Sequence, residues 1–82
     1  MSNKYYDNLL REAERIMHAE HKANGYDDHG TCVLGAGIEV GVRVVIPQVS
    51  QGNMSAYAAA KPAIEFLQEH GISARWHDGR MD

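Results

Sequence analysis

The spacing of apolar residues changes along the chain, and this change limits the fold more than any other feature. Up to Ala23 the apolar side chains recur every three or four residues, which is the period of an amphipathic helix. Between Thr31 and Ile46 they alternate with other residues, and many are β-branched, as is typical of strands. A helical period then returns, and a short alternating stretch follows it. The pattern therefore excludes an all-α or an all-β fold.

The pattern predicts a helix at residues 3–23, a hairpin at 31–47, a helix at 54–70 and a strand at 72–77. We expect the hairpin to turn near Gly35–Gly37, because glycine permits the positive φ of tight turns, and we expect its second strand to end at Pro47. Gly71 is expected to end the second helix. Pro62 lies inside that helix, so the helix either kinks there or restarts at Pro62.

The order α-β-β-α-β predicts one small α+β domain over residues 1–82, with two helices on one face of a three-stranded, mostly antiparallel sheet. A right-handed crossover would make the third strand parallel to the second, while its place in the sheet stays open. The alternation predicts that Val42 and Val44 face the helices and that Val45 faces outward. The inner side of the second helix would include Tyr57, and Trp76 would lie under the helices.

Composition excludes several classes of protein. The 82 residues carry a formal net charge of −3, which does not suit a strongly basic nucleic-acid clamp, and the length excludes enzymes built from two lobes. A single cysteine, Cys32, excludes an intrachain disulfide scaffold, and no apolar stretch is long enough to span a bilayer. We expect a cytoplasmic protein of a bacterial host, without a membrane partner.

No motif in the sequence predicts a catalytic residue, a metal site or a cofactor. The glycines from Gly35 to Gly41 resemble a dinucleotide fingerprint, but a strand pattern follows them where that motif needs a helix. His18 and His21 share a helix face, yet zinc requires more converging ligands, so solvated histidines are expected. The phase of Cys32 predicts a buried thiol rather than a nucleophile.

Two groups of residues are candidates for binding a partner. The first group is acidic and suits a basic groove on another molecule; it comprises Asp27, Asp28, Glu65 and Glu69. The second group would project from adjacent strands on the outer sheet face and form a mixed polar surface; it comprises Glu39, Arg43, Arg75 and His77.

A capped helix at residues 2–23, a compact hairpin at 31–46, and a second helix followed by a strand through Ala74–Gly79 make up this small acidic chain. In size, architecture and charge it resembles the anti-CRISPR proteins that phages and mobile elements encode against type I systems. The resemblance implies a non-catalytic inhibitor that binds a surveillance complex or its nuclease and blocks access. The modest net charge places steric blockade ahead of nucleic-acid mimicry.

Three functions therefore remain to be compared. The first is an interaction protein whose partner is a host protein or ribonucleoprotein complex, with a homodimer as a further option. The second is a small nucleic-acid-binding module that uses Arg43, Arg75 and Arg80. The third is an enzyme, for which the sequence supplies no set of nucleophile, base and orienting group.

Overall fold

The computed structural model describes residues 4–24, 33–49 and 53–81. Helix α1 spans Lys4–Asn24 and helix α2 spans Asn53–Glu69. The strands are β1 (Val33–Leu34), β2 (Gly37–Val40), β3 (Arg43–Pro47), β4 (Ala74–His77) and β5 (Arg80–Met81). Neither helix carries an apolar segment long enough to cross a bilayer, within this described part of the chain.

Strand β2 is the centre of a three-stranded sheet of order β3-β2-β4 and is antiparallel to both neighbours. Helix α2 packs on β2 and β4, and α1 packs on α2 and β3. This arrangement confirms the predicted α+β fold. The hydrophobic cluster between the layers consists of Leu9, Ala13, Met17, Ile38, Ile46, Ala59, Ala60, Ala63, Ile64, Leu67 and Ala74.

The prediction of a hairpin turn at Gly35–Gly37 was wrong. The hairpin joins β2 to β3, and its loop is Gly41–Val42. Gly41 has φ +71° and Val42 has a negative φ, which are the signs of a type II′ turn with glycine at its first central position. The long strand pattern thus folds back on itself at Gly41. Val42, expected inside, is 94% exposed at the tip of the hairpin.

The two-residue turn and a β-bulge in β3 together reverse the predicted orientation of two valines. Ile38 pairs with Ile46 and Glu39 pairs with Val44, so Val45 is an extra residue between two regular pairs. Paired residues of an antiparallel ladder share a face, so Val44 lies on the outer face beside Glu39. Val45 instead packs against the core. Both orientations are the opposite of those that strict alternation predicts.

Strand β4 is antiparallel to its neighbour β2 and therefore runs in the same direction as β3, with β2 between them. The predicted second strand corresponds to both β2 and β3 of the structure. The prediction that the last strand runs parallel to it is therefore correct for β3 and wrong for β2. The short β1–β5 ladder continues the register of β2 and β4: Leu34 pairs with Arg80, as Gly37 pairs with His77.

Helix α2 continues through Pro62 as one element, so it does not restart there. Its end at Gly71 is a Schellman motif, because the Ile72 N–H donates to the Leu67 carbonyl and the Gly71 N–H donates to the Gln68 carbonyl, both at 3.0 Å. Gly71 adopts φ +81°, which this motif requires. The cap fixes the direction in which the chain enters β4.

Tyr57 was expected on the inner side of α2, but it is 48% exposed. The four small residues that surround its position on the buried side, Ala56, Ala59, Ala60 and Ala63, are each 0% exposed. These alanines bring α2 close to α1 and the sheet, so the large phenol ring is placed at the border of the interface.

Candidate interaction surface

Three polar side chains meet on the outer face of the sheet, and we call them the Glu39 cluster: Glu39, Arg75 and His77. Arg75 Nε donates to Glu39 Oε2 at 2.5 Å, and His77 Nδ1 lies 3.6 Å from Glu39 Oε1. The register explains this meeting, since Glu39 pairs with Arg75 and Gly37 pairs with His77. A cross-strand pair of opposite charge stabilises a sheet by about 0.2–1 kcal/mol.

The Arg75 side chain also reaches the hairpin turn. Its Nη2 donates to the carbonyl oxygen of Gly41 at 3.3 Å. The guanidinium of Arg75 thus contacts both Glu39 in β2 and the loop that follows β2, and Arg75 lies 34 residues after Gly41 in the sequence. The Arg75 side chain stays 69% exposed, so its remaining N–H groups can donate to another molecule.

Exposure differs strongly within the Glu39 cluster. The side chain of Glu39 is 14% exposed, whereas those of Arg75 and His77 are 69% and 46% exposed. The carboxylate is therefore held under the two bases, and the surface that a partner meets is made of a guanidinium and an imidazole. Such a surface can donate hydrogen bonds to carboxylates and backbone carbonyls.

A shallow apolar step lies next to the Glu39 cluster. Gly37 lacks a side chain, and Val44 covers it so closely that a Cβ at residue 37 would lie 2.6 Å from Val44 Cγ1. Gly37 is therefore buried beneath the Val44 side chain. None of the described Phe, Tyr or Trp side chains lies on this outer face, so the imidazole of His77 is the one described ring there on which a nucleobase could stack.

The remaining candidate residues do not join the Glu39 cluster. Arg43 is exposed beside the hairpin turn and pairs with Val40 rather than with Glu39. Glu65 and Glu69 are exposed on α2, which lies on the opposite side of the sheet. Asp27 and Asp28 lie outside the described residues, as does Cys32. The structure thus separates the acidic group from the mixed polar group.

Sequence analysis did not find a cleft between α1 and the edge strand β3. Its volume is about 310 Å³, its floor is apolar and its rim is charged. The bulge creates this floor, because it lets the adjacent residues Val45 and Ile46 both face the helix layer. The lining residues are Asp7, Leu10, Arg11, Glu14, Val45 and Ile46. On α1 the two acids are each one turn from Arg11, so the rim keeps a net charge of one negative unit.

An aromatic pair beside β4 was also missed. The rings of Tyr57 and Trp76 meet edge to face, with centroids 5.9 Å apart. The indole N–H of Trp76 is shielded from solvent and has no hydrogen-bond partner among the described residues. The helical position of Tyr57 suggested burial, and only the surrounding alanines could have indicated that α2 would lie too close to the sheet to cover the ring.

The described residues contain no group of three His, Cys, Asp or Glu side chains that could hold a metal ion. His18 is exposed on α1 and His21 is half-buried near its end, where cationic side chains complement the helix dipole. Elsewhere on α1, the hydrogen bond from Arg15 lowers the pKa of Glu12, and the same contact raises the pKa of Arg15. The two side chains of that pair are 70% and 42% exposed, and the pair is confined to α1.

No protein-family model, curated protein sequence or solved structure matches this chain.

Proposed function

We propose that this protein is a non-catalytic interaction domain whose outer sheet face binds a host protein or ribonucleoprotein complex. The observation that carries the proposal is the Glu39 cluster, in which one shielded carboxylate holds two exposed bases on an open sheet. A fixed guanidinium loses little conformational freedom on binding, and arginine is enriched among the residues that dominate interface energies. Acidic side chains and backbone carbonyls of the partner are the groups this surface suits.

The partner class we propose is a host defence complex, namely a type I CRISPR surveillance complex or its nuclease. The supports are the small α+β architecture and the acidic balance of the chain, which the anti-CRISPR proteins share as a type. Blocking access by occupying a surface requires a rigid patch and no chemistry, and the Glu39 cluster is such a patch. The outer face carries this role better than Glu65 and Glu69, which belong to the helix layer.

Direct binding of nucleic acid is the alternative, and the geometry favours it less. Arg75 is already paired with Glu39 and donates to Gly41, so its charge is partly compensated. Arg43 lies at the hairpin tip, apart from that pair. A gel-shift titration at low salt separates the two functions: a dissociation constant tighter than about 10⁻⁴ M would favour the nucleic-acid module.

The test is a binding assay with purified type I surveillance complex and nuclease, using the wild-type protein and charge-removing variants. Arg75→Gln should weaken binding by about tenfold, because a central interface arginine contributes on the order of 1–2 kcal/mol. The double variant Glu39→Gln/Arg75→Gln leaves no carboxylate unpaired, so it controls for damage to the fold. Glu69→Gln, on the opposite side, should change the affinity by less than about twofold.

Three results would contradict parts of the proposal. Loss of binding in Glu69→Gln but not in Arg75→Gln would move the site to the helix layer. Binding that weakens only in Asp27→Asn/Asp28→Asn would move it to the acidic pair that sequence analysis singled out. Absence of binding to both targets, with a cooperatively folded protein, would remove the proposed partner class.

A further inference from the structure

Strand β4 has one edge that the described residues cover only at Ala74. The sheet order β3-β2-β4 leaves one side of β4 without a partner strand in the described part of the chain. The N–H of Ala74 donates to the Ile72 carbonyl at 2.9 Å, and the carbonyl of Ala74 accepts from Gln68 Nε2 at 3.0 Å. Because residues of an antiparallel strand alternate in bonding direction, Trp76 also turns its N–H and C=O away from β2.

The two edges of the sheet differ in how they resist pairing. The β3 edge contains the bulge at Val45 and ends at Pro47, and both features block the addition of a strand. The β4 edge contains no proline, and its register with β2 is regular throughout. Unpaired backbone groups on a regular edge favour another β-strand as the occupant.

Helix α2 lies over the sheet beside this edge and carries a stripe of residues at spacings of four, three and four: Tyr57, Lys61, Ile64 and Gln68. The stripe faces β4, because the Tyr57 ring contacts Trp76 and Gln68 bonds to Ala74. The middle of the stripe therefore lies over the middle of β4. Any strand that pairs with β4 must also contact this side of α2.

From this geometry we infer that the occupant is a second copy of the chain, which pairs β4 with β4 antiparallel about a two-fold axis near Trp76. The axis would give a continuous six-stranded sheet. It would also bring the two α2 helices side by side and antiparallel, so that Lys61 of each copy lies beside Glu65 of the other. Self-complementary charge of this kind is what a two-fold interface requires.

The spacing of the layers fits this arrangement. Helix α2 lies over β2 and β4, so each α2 axis is about one strand spacing from the new interface. Strands are about 4.8 Å apart, and the two helices would therefore be about 10 Å apart. Packed helices are separated by about 8–10 Å. Pairing of the edges and packing of the helices can thus occur together, with Tyr57 and Trp76 at the junction.

The test is sedimentation equilibrium on the full chain, with Lys61→Glu, Glu65→Lys and the double exchange Lys61→Glu/Glu65→Lys. Both residues are exposed, so the variants keep the core intact. We expect a dimer with a dissociation constant below about 1 mM. Each single variant turns two symmetric attractions into repulsions and should weaken the dimer by roughly tenfold, and the double exchange should restore it to within about threefold.

Amide hydrogen exchange locates the interface independently of the charges. The N–H of Trp76 should gain protection as protein concentration rises, and it should lose that protection in Lys61→Glu. A chain that stays monomeric at about 1 mM overturns the inference. A dimer whose stability ignores all three charge variants, or whose Trp76 amide exchanges equally fast at every concentration, overturns it as well.

Discussion

The bulge in β3 leads us to expect different effects on stability when two adjacent valines are substituted. Val45 packs against the core, whereas Val44 lies on the outer face opposite Glu39. Threonine keeps the β-branched shape of valine and its strand preference, so Val45→Thr and Val44→Thr are matched perturbations. Only the first one places a hydroxyl group among apolar neighbours.

The expected magnitude follows from the burial of Val45. A fully buried valine contributes about 1.5–3 kcal/mol, so a partly buried one contributes about 1 kcal/mol. A buried hydroxyl without a partner adds on the order of 1 kcal/mol. Val45→Thr should therefore lower the free energy of unfolding by about 1–2 kcal/mol, whereas Val44→Thr should change it by less than about 0.5 kcal/mol.

The assay is urea unfolding followed by circular dichroism, at a protein concentration low enough to keep the chain monomeric. Thermal unfolding provides a second measure, since 1 kcal/mol shifts the Tm of a domain of this size by about 4–8 °C. If Val44→Thr costs as much as Val45→Thr, or more, strict alternation holds in β3. The bulge would then be refuted, along with the apolar floor of the cleft against α1.

Two further predictions concern the backbone. Gly37→Ala should lower the free energy of unfolding by about 1–3 kcal/mol in a urea titration, because the new Cβ would lie 2.6 Å from Val44 Cγ1 and also against the β3 backbone; an unchanged midpoint would mean that Val44 does not cover this glycine. Pro62→Ala should raise the Tm, because alanine restores a helical N–H that proline lacks and is favoured by up to about 3 kcal/mol inside a helix; a lower Tm would show that the ring of Pro62 packs in a way that the methyl group cannot replace.

The helical layer could be predicted from the sequence because its signals are local. Three-and-four spacing predicted a helix at residues 3–23, and α1 spans Lys4–Asn24. Gly71 was expected to end the second helix, and the cap of α2 is at Gly71. Exposure on α2 was harder to predict. Tyr57 follows the apolar period, yet the alanines around it bring the helix too close to its neighbours for a phenol ring to fit underneath.

The sheet was harder to predict, because a misplaced turn or bulge changes which strand residues face the helices and which face outward. Val40-Gly41-Val42-Arg43 reads as an uninterrupted strand if only apolar alternation is considered. A two-residue loop with glycine first is a hairpin signal of its own, and giving it more weight than the Gly35–Gly37 segment would have placed the turn correctly. The bulge had no such signal: inserting one residue exchanges the two faces from that point on.

The candidate site could be predicted only in part, because it depends on the face, the register and the order of the strands. Alternation placed Glu39, Arg75 and His77 on one face, and they lie together there. Arg43 was expected with them, but the two-residue turn at Gly41–Val42 pairs it with Val40 instead. The contact between Arg75 and Glu39 joins residues 36 positions apart, and only the strand order β3-β2-β4 makes them neighbours. The sequence left that order open.

The outer face and the β4 edge are compatible as binding surfaces because they use different directions of the same sheet. Pairing at the β4 edge extends the sheet in its own plane and buries the side of α2, so Arg75 and His77 remain exposed. In the six-stranded sheet, Arg75 of one copy would lie opposite His77 of the other, which places two Glu39 clusters side by side on one continuous face. A dimer would therefore double the surface offered to a partner without a new contact and raise avidity rather than intrinsic affinity. The two proposals can fail separately, since Lys61→Glu acts on the helix layer and Arg75→Gln acts on the outer face.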